Sequence, residues 1–309
     1  MTQTITPTAE RFIQDDLALW RITTPHGQAL VAEQGAQLLS YVPDGEQPLV
    51  WLSEQARYVR GESVRGGVPV CWPWFGDLER NPAQVRAGVH ADLHAQAPKH
   101  GFVRTQDWTH AETSIETQAV TLVFRLDVVK GASGWSQPAH LTLRLRFADT
   151  LTVELGVTNE SPEPMIVSQA LHTYFAVSDV RQVQVLGVDG ARFVDTLDDW
   201  QIKTQAGVLR FNGETDRIYL DVGKTLVIED PGWSRSIQIQ TAHSASAVIW
   251  NPWTDKAARL SQFADDAWQR MLCIETARVW DDLLTIAPGE TGYMAVHVQT
   301  MRTDAQAAG

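Results

Sequence analysis

Hydrophobic alternation with a period of two constrains this chain more than any other feature. Leu141, Leu143, Leu145 and Phe147 alternate with Thr142, Arg144 and Arg146. Leu151, Val153, Leu155 and Val157 alternate with Thr152, Glu154, Gly156 and Thr158, and Leu122, Phe124, Leu126 and Val128 form a third series. Successive side chains of a strand point to opposite faces, so such runs predict antiparallel strands with one face on a core and one in water. Asp149-Thr150 is the expected hairpin turn between the 141–147 and 151–157 series.

Short apolar runs recur between turn signals over the rest of the chain, at 28–32, 37–42, 49–52, 165–170, 183–188, 225–229, 237–241, 247–250, 271–274 and 293–298. Pro43-Asp44-Gly45, Asp189-Gly190, Asn212-Gly213, Asp230-Pro231-Gly232 and Pro288-Gly289 punctuate them. Helical periodicity is confined to short stretches at 254–260 or 263–270. Strands that do not alternate with long helices predict an all-β, many-stranded sandwich rather than an α/β fold. No linker divides the chain and no repeat recurs, so one domain over residues 1–309 is expected. Its ends, about 1–10 and 303–309, are expected to fray. The most loop-like stretch is 76–99.

Composition narrows the function classes. The chain carries 25 Lys and Arg against 37 Asp and Glu, a formal charge of −12. That field repels nucleic acid and anionic membrane, so any phosphate must be held by a local basic cluster. No apolar run approaches the roughly 20 residues that span a bilayer. The N-terminus has neither the basic nor the apolar region of a secretory signal. Cys71 and Cys273 both sit in apolar runs, which fits buried thiols in a reducing cytoplasm better than a disulfide scaffold. The 12 Trp outnumber 9 Phe and 5 Tyr. Trp supplies core bulk, and its flat indole also suits the C–H face of a pyranose. Composition favours the first use.

Nucleophile-elbow, phosphate-loop, dinucleotide and C-x-x-C signatures are absent. His90 and His94 lack a third ligand and an intervening Glu, so they predict loop histidines rather than a zinc site. What stands out is a set of polar groups embedded among Gly, Pro and aromatics. In chain order the segments are RGGVPVCWPWFG from Arg65, HGFVR from His100, LHTYF from Leu171, ETDRIY from Glu214, WNPW from Trp250 and CIETA from Cys273. The 271–274 run places Glu275 at a strand end, and the 168–171 run does the same for His172. Singly, each such residue has an ordinary structural explanation, because buried polar groups are usually just hydrogen-bonded.

Together, the six segments resemble, in order and spacing, the hexose-6-phosphate mutarotases, or glucose-6-phosphate 1-epimerases, of the galactose-mutarotase-like superfamily. The resemblance runs over about residues 18–298. It implies a large antiparallel β-supersandwich and interconversion of the α and β anomers of a hexose 6-phosphate, glucose 6-phosphate first among them. It further implies His172 as general acid and Glu275 as general base. Arg65, Lys99 and Arg104 would line the phosphate and nearby hydroxyls, Asp216 would hold sugar hydroxyls, and His100 would sit beside the ring. Two features depart from the family pattern: Lys99 stands where a neutral residue is more usual, and the 77–97 loop is long.

The chemistry accounts for these residue types. Ring opening removes the C1-hydroxyl proton and protonates the ring oxygen, and reclosure reverses both transfers. No metal or other cofactor is required. The expected partner is a small-molecule sugar phosphate, with no nucleic acid and no membrane, and the protein is expected to act as a monomer. Three alternatives stay open at this point: an aldose 1-epimerase on unphosphorylated sugars, a non-catalytic carbohydrate-binding protein, and a glycosidase using Asp216 and Glu275. The Arg65/Lys99/Arg104 cluster argues against the first and the His172/Glu275 pair against the second.

Overall fold

A computed structural model describes residues 5–302. The expected period-two strands form the centre of a nine-stranded antiparallel sheet. Val120–Val128, Ala139–Phe147, Leu151–Asn159 and Thr291–Arg302 lie side by side, with Thr109–Ile115 at one edge. Phe147 pairs with Leu151, so Ala148 joins Asp149-Thr150 in the turn. Leu141, Leu143, Leu145 and Phe147 point into the core, and the residues between them do not.

Facing this is an eight-stranded sheet in the order Gln201–Thr204, Arg192–Asp195, Thr215–Leu220, Ser246–Asn251, Met271–Arg278, Gln169–Leu171 and Val70–Cys71, with Tyr174–Ala176 also paired to Met271–Arg278. Its strands Ser246–Asn251, Met271–Arg278, Gln169–Leu171 and Val70–Cys71 are buried on both faces, which is why they read as continuous apolar runs rather than alternations. Tyr219, Ile249 and Ile274 join the main core. Val194, Ile218, Leu220, Val248, Ala277 and Val279 form a second, smaller cluster with Phe75, Trp200 and Trp280 packed on it. The functional cavity opens over that second cluster. Both cysteines are buried and free, and burial raises the pKa of each thiol. No helix among the described residues is long and apolar enough to cross a membrane.

Several expectations are corrected. Residues 8–10 are not frayed: they belong to the strand Thr8–Gln14, paired with Leu17–Thr24 and tied down where the Arg11 guanidinium grips the Glu33 carboxylate at 2.7 Å. Residues 1–4 and the tail expected to fray at 303–309 lie outside the described residues. The 49–52 run forms no strand; Val50 bridges Tyr41 and Phe175, and Leu52 bridges Gly66. The 165–170 run divides at Ser168 into Met165–Val167 and Gln169–Leu171, which belong to different sheets. The 271–274 run continues as strand to Arg278, so Glu275 is a mid-strand residue. A mid-strand carboxyl breaks the apolar pattern and reads falsely as a strand end.

Helix is as scarce as expected, with Trp253–Ala257 and a 3-10 turn at Ala267–Arg270 in the two anticipated stretches. The long 77–97 loop contains more structure than its composition suggests. It holds a helical turn, Ala83–Arg86, flanked by 3-10 turns Leu78–Arg80 and Ala91–Gln96. Buried Leu78 and Val85 anchor it, and the His94 Nε2 lies 3.1 and 3.0 Å from the carbonyls of Arg86 and Val89.

The segment that carries His100 is locked by a close approach. Gly101 has φ +68°, and a Cβ there would meet the Trp72 carbonyl oxygen at 1.8 Å. Gly61, with φ +81°, has open space around it. Gly101→Ala is therefore expected to cost more than about 3 kcal/mol in chemical unfolding, and Gly61→Ala about 1 kcal/mol. Equal costs at the two positions would contradict this reading.

Candidate active site

A cavity of about 580 Å³ opens on the eight-stranded sheet and gathers every residue singled out from the sequence: Arg65, Lys99, His100, Arg104, His172, Asp216 and Glu275. The sheet register explains the gathering. Glu275 pairs with Val248, Val248 with Ile218, and Asp216 with Trp250. Side chains at these positions share one face, which is the cavity floor. His172 follows the short strand Gln169–Leu171, and its backbone N–H donates to the Pro69 carbonyl at 3.0 Å.

His172 and Glu275 meet at the centre, with Nε2 and Oε1 3.3 Å apart. Glu275 is 1% exposed and His172 8%. Tyr174 stacks flat on the His172 imidazole, with centroids 4.8 Å apart and planes 10° from parallel. Trp250 and His100 stand edge-on to the same ring at 6.3 and 5.4 Å. His172 Nδ1 and Glu275 Oε2 are buried with no hydrogen-bond partner in the protein. Buried polar atoms left unpaired are costly, which marks a site arranged for a ligand.

Burial dominates the protonation of both groups. It raises the Glu275 carboxyl well above the usual carboxylate range, with the Asp216 charge adding to the shift and Arg104 opposing it. It lowers His172 to about 3, with the positive charges of Arg104 and Arg65 acting in the same direction. Burial thus disfavours the charged form of each group, and favours a single transferable proton held between them over an ion pair. His100 is likewise lowered by burial and then by Arg104. Its Nδ1 accepts the Gly76 N–H at 3.3 Å, which leaves Nε2 as the protonated nitrogen of the neutral ring.

The cations around this pair are tethered to backbone. Arg65 Nε donates to the Ser261 carbonyl at 3.3 Å, and Arg104 Nη2 donates to the Lys99 carbonyl at 2.9 Å. Neither guanidinium is ion-paired with a carboxylate among the described residues. Asp216 is different. Lys256 Nζ lies 3.8 Å from its carboxylate and 2.9 Å from that of Glu214. Burial raises Asp216, and the Lys256 charge opposes the shift.

Sequence reasoning missed part of the lining. Tyr174 was visible within the LHTYF segment but carried no assigned role. Lys256 follows WNPW on a short helix and has no motif of its own. Trp200 and Trp280 line the cavity from left-handed backbone positions with φ +59° and +57°. Their indoles stack at 6.1 Å, and the Arg80 guanidinium lies 5.0 Å over Trp200. Of the four tryptophans in the quoted segments, Trp250 borders the cavity, while Trp72 and Trp74 are core.

A family description, aldose 1-epimerase, matches residues 18–297. The chain belongs to the aldose 1-epimerase family. Within the family it is 34% identical over 275 residues to a protein of Escherichia coli (strain K12) named "Putative glucose-6-phosphate 1-epimerase", covering 88% of this chain and 87% of that one. It is equally similar to the protein of that name from Salmonella typhimurium. Among solved structures, the "putative mutarotase (YeaD)" of Salmonella typhimurium superposes with a TM-score of 0.85 at 30% identity, over 95% of this chain and 94% of that one. Galactose 1-epimerase from Lactobacillus acidophilus superposes with a TM-score of 0.74 at 14% identity, over 97% and 99% of the two chains, a likeness of fold. The expected supersandwich is thus the fold of this aldose 1-epimerase family member.

The buried carboxyl makes a stability prediction. A carboxyl that binds its proton more tightly when folded adds stability below its unfolded pKa, and this is lost as pH rises toward its folded value. Glu275→Gln removes that loss. The variant's stability relative to the parent, measured by urea unfolding, should improve as pH rises above the ordinary carboxyl range of about 4. Parallel pH profiles would contradict the protonated, buried Glu275.

Proposed function

We propose that this protein interconverts the α and β anomers of hexose 6-phosphates, glucose 6-phosphate foremost, by acid–base ring opening and reclosure. The observation that carries the reading is the buried His172–Glu275 pair lying in one cavity with two arginines that have no carboxylate partner among the described residues. Guanidinium forks suit phosphate oxygens, and a neutral sugar would not need them in a chain of charge −12. The relatives' names point to the same substrate.

The pair carries one proton. Moving it from Glu275 Oε1 to His172 Nε2 creates a carboxylate base and an imidazolium acid together. Glu275 then takes the C1-hydroxyl proton while His172 protonates the ring oxygen, and the C1–O bond to that oxygen breaks to give the open-chain aldehyde. Closure on the opposite face reverses each transfer. Asp216, with the Lys256 ammonium 3.8 Å from its carboxylate opposing the effect of burial, accepts hydrogen bonds from sugar hydroxyls. Tied to Lys256 in this way, it is better suited to that role than to acting as a second acid in glycoside hydrolysis. Trp250 borders the ring, and Lys99 with His100 completes the wall.

Exchange measurements by NMR on both glucose 6-phosphate and glucose test the proposal. His172→Ala and Glu275→Gln should each lower kcat for glucose 6-phosphate by about 10²-fold or more, and the double variant should lose little beyond the worse single one. Arg65→Ala should act chiefly on KM for the phosphorylated sugar, raising it about tenfold or more. A Glu275→Gln enzyme near full activity, or a parent equally active on both sugars, would overturn the assignment.

A further inference from the structure

The phosphate-binding arginines do not depend on a bound sugar for their placement. Arg65 is held by the Ser261 carbonyl and Arg104 by the Lys99 carbonyl, each on a segment separate from the strands that carry Glu275 and Asp216. Both arginines line the cavity that holds the His172–Glu275 pair. The anion subsite and the ring-opening pair are therefore two preformed devices that the substrate's C6–O bond merely connects.

We propose that this protein has a second, conditional activity: with a free tetrahedral dianion on Arg65 and Arg104, it interconverts the anomers of unphosphorylated aldohexoses. The proposal rests on the hexose-phosphate reading of the cavity and extends it by giving the anion a chemical role beyond anchoring.

The charges acting on His172 are those of Arg104 and Arg65, both unfavourable to an imidazolium. Glu275 feels Arg104 as its favourable cation and Asp216 as its unfavourable anion. A dianion held between the arginines cancels their field. His172 is then relieved of two repulsions, whereas Glu275 loses one attraction. The shared proton moves from Glu275 toward His172 across their 3.3 Å contact, forming the carboxylate base and imidazolium acid that ring opening uses. The anion supplies this by its charge alone, so no covalent link to the sugar is needed. For an unphosphorylated aldohexose the balance is the same as before. The C1–O bond to the ring oxygen breaks with its electron pair going to that oxygen, which takes the His172 proton. The C1-hydroxyl proton passes to Glu275, and closure restores both.

Sulfate is the probe, because it is a dianion too weakly basic to catalyse anomer exchange itself. Exchange of glucose is followed by NMR on the full chain in potassium sulfate and in potassium chloride of equal ionic strength, which holds screening constant. Sulfate should raise kcat/KM for glucose saturably, by about tenfold or more, and should compete with glucose 6-phosphate over the same concentration range. Arg65→Met and Arg104→Met should each lose the sulfate response. If sulfate competes with glucose 6-phosphate but leaves glucose exchange at its chloride rate, the anion is only an anchor and the proposal is overturned. If the parent does not accelerate glucose 6-phosphate exchange at all, the hexose-phosphate reading itself falls, and this inference with it.

Discussion

The structure turns on one contact, a carboxyl and an imidazole placed 3.3 Å apart where almost no water reaches. Burying either charge alone would be costly, and burial pushes both groups toward their uncharged forms. In the ring-opening reading we propose, this pair is also a stored acid and base: one proton transfer across the contact yields both reagents, and the reverse transfer regenerates the resting state.

The fold exists around this contact in a concrete sense. The central strands of the eight-stranded sheet are buried on both faces, and on the cavity side Glu275 and Asp216 interrupt an apolar surface that includes Ile218 and Val248. Tyr174 fixes the plane of His172 by stacking, and Trp250 closes its edge. The 77–82 loop is fastened by Asn81, whose amide donates to the carbonyls of Phe75 and Asp77 and accepts from buried Ser168. These contacts order the walls without spending the arginines on internal carboxylates, so the guanidinium forks stay available to an anion.

Much of this was legible in the sequence. Period-two runs such as 141–147 reveal half-buried strands because each residue reports its face directly. Six short segments identified the residues that line the cavity, since polar groups among Gly, Pro and aromatics are rarely casual. What stayed hidden depends on distant partners. Glu275 read as a strand end because a buried carboxyl looks like a boundary until His172 is placed beside it. Trp200 and Trp280 come from loops about 80 residues apart in sequence and meet only through the sheet. Residues 8–10 read as frayed because the salt bridge holding that strand, Arg11 to Glu33, spans another hairpin.

The resting protonation of Glu275 tests this account most directly. Isotope-edited infrared difference spectroscopy between the parent and Glu275→Gln, at neutral pH without ligand, separates a protonated carboxyl from a carboxylate. A carbonyl stretch of a protonated, weakly hydrogen-bonded carboxyl that disappears in the variant is the predicted result. Loss of carboxylate bands alone would show Glu275 ionised at rest, and would contradict the neutral pair on which the chemistry is built.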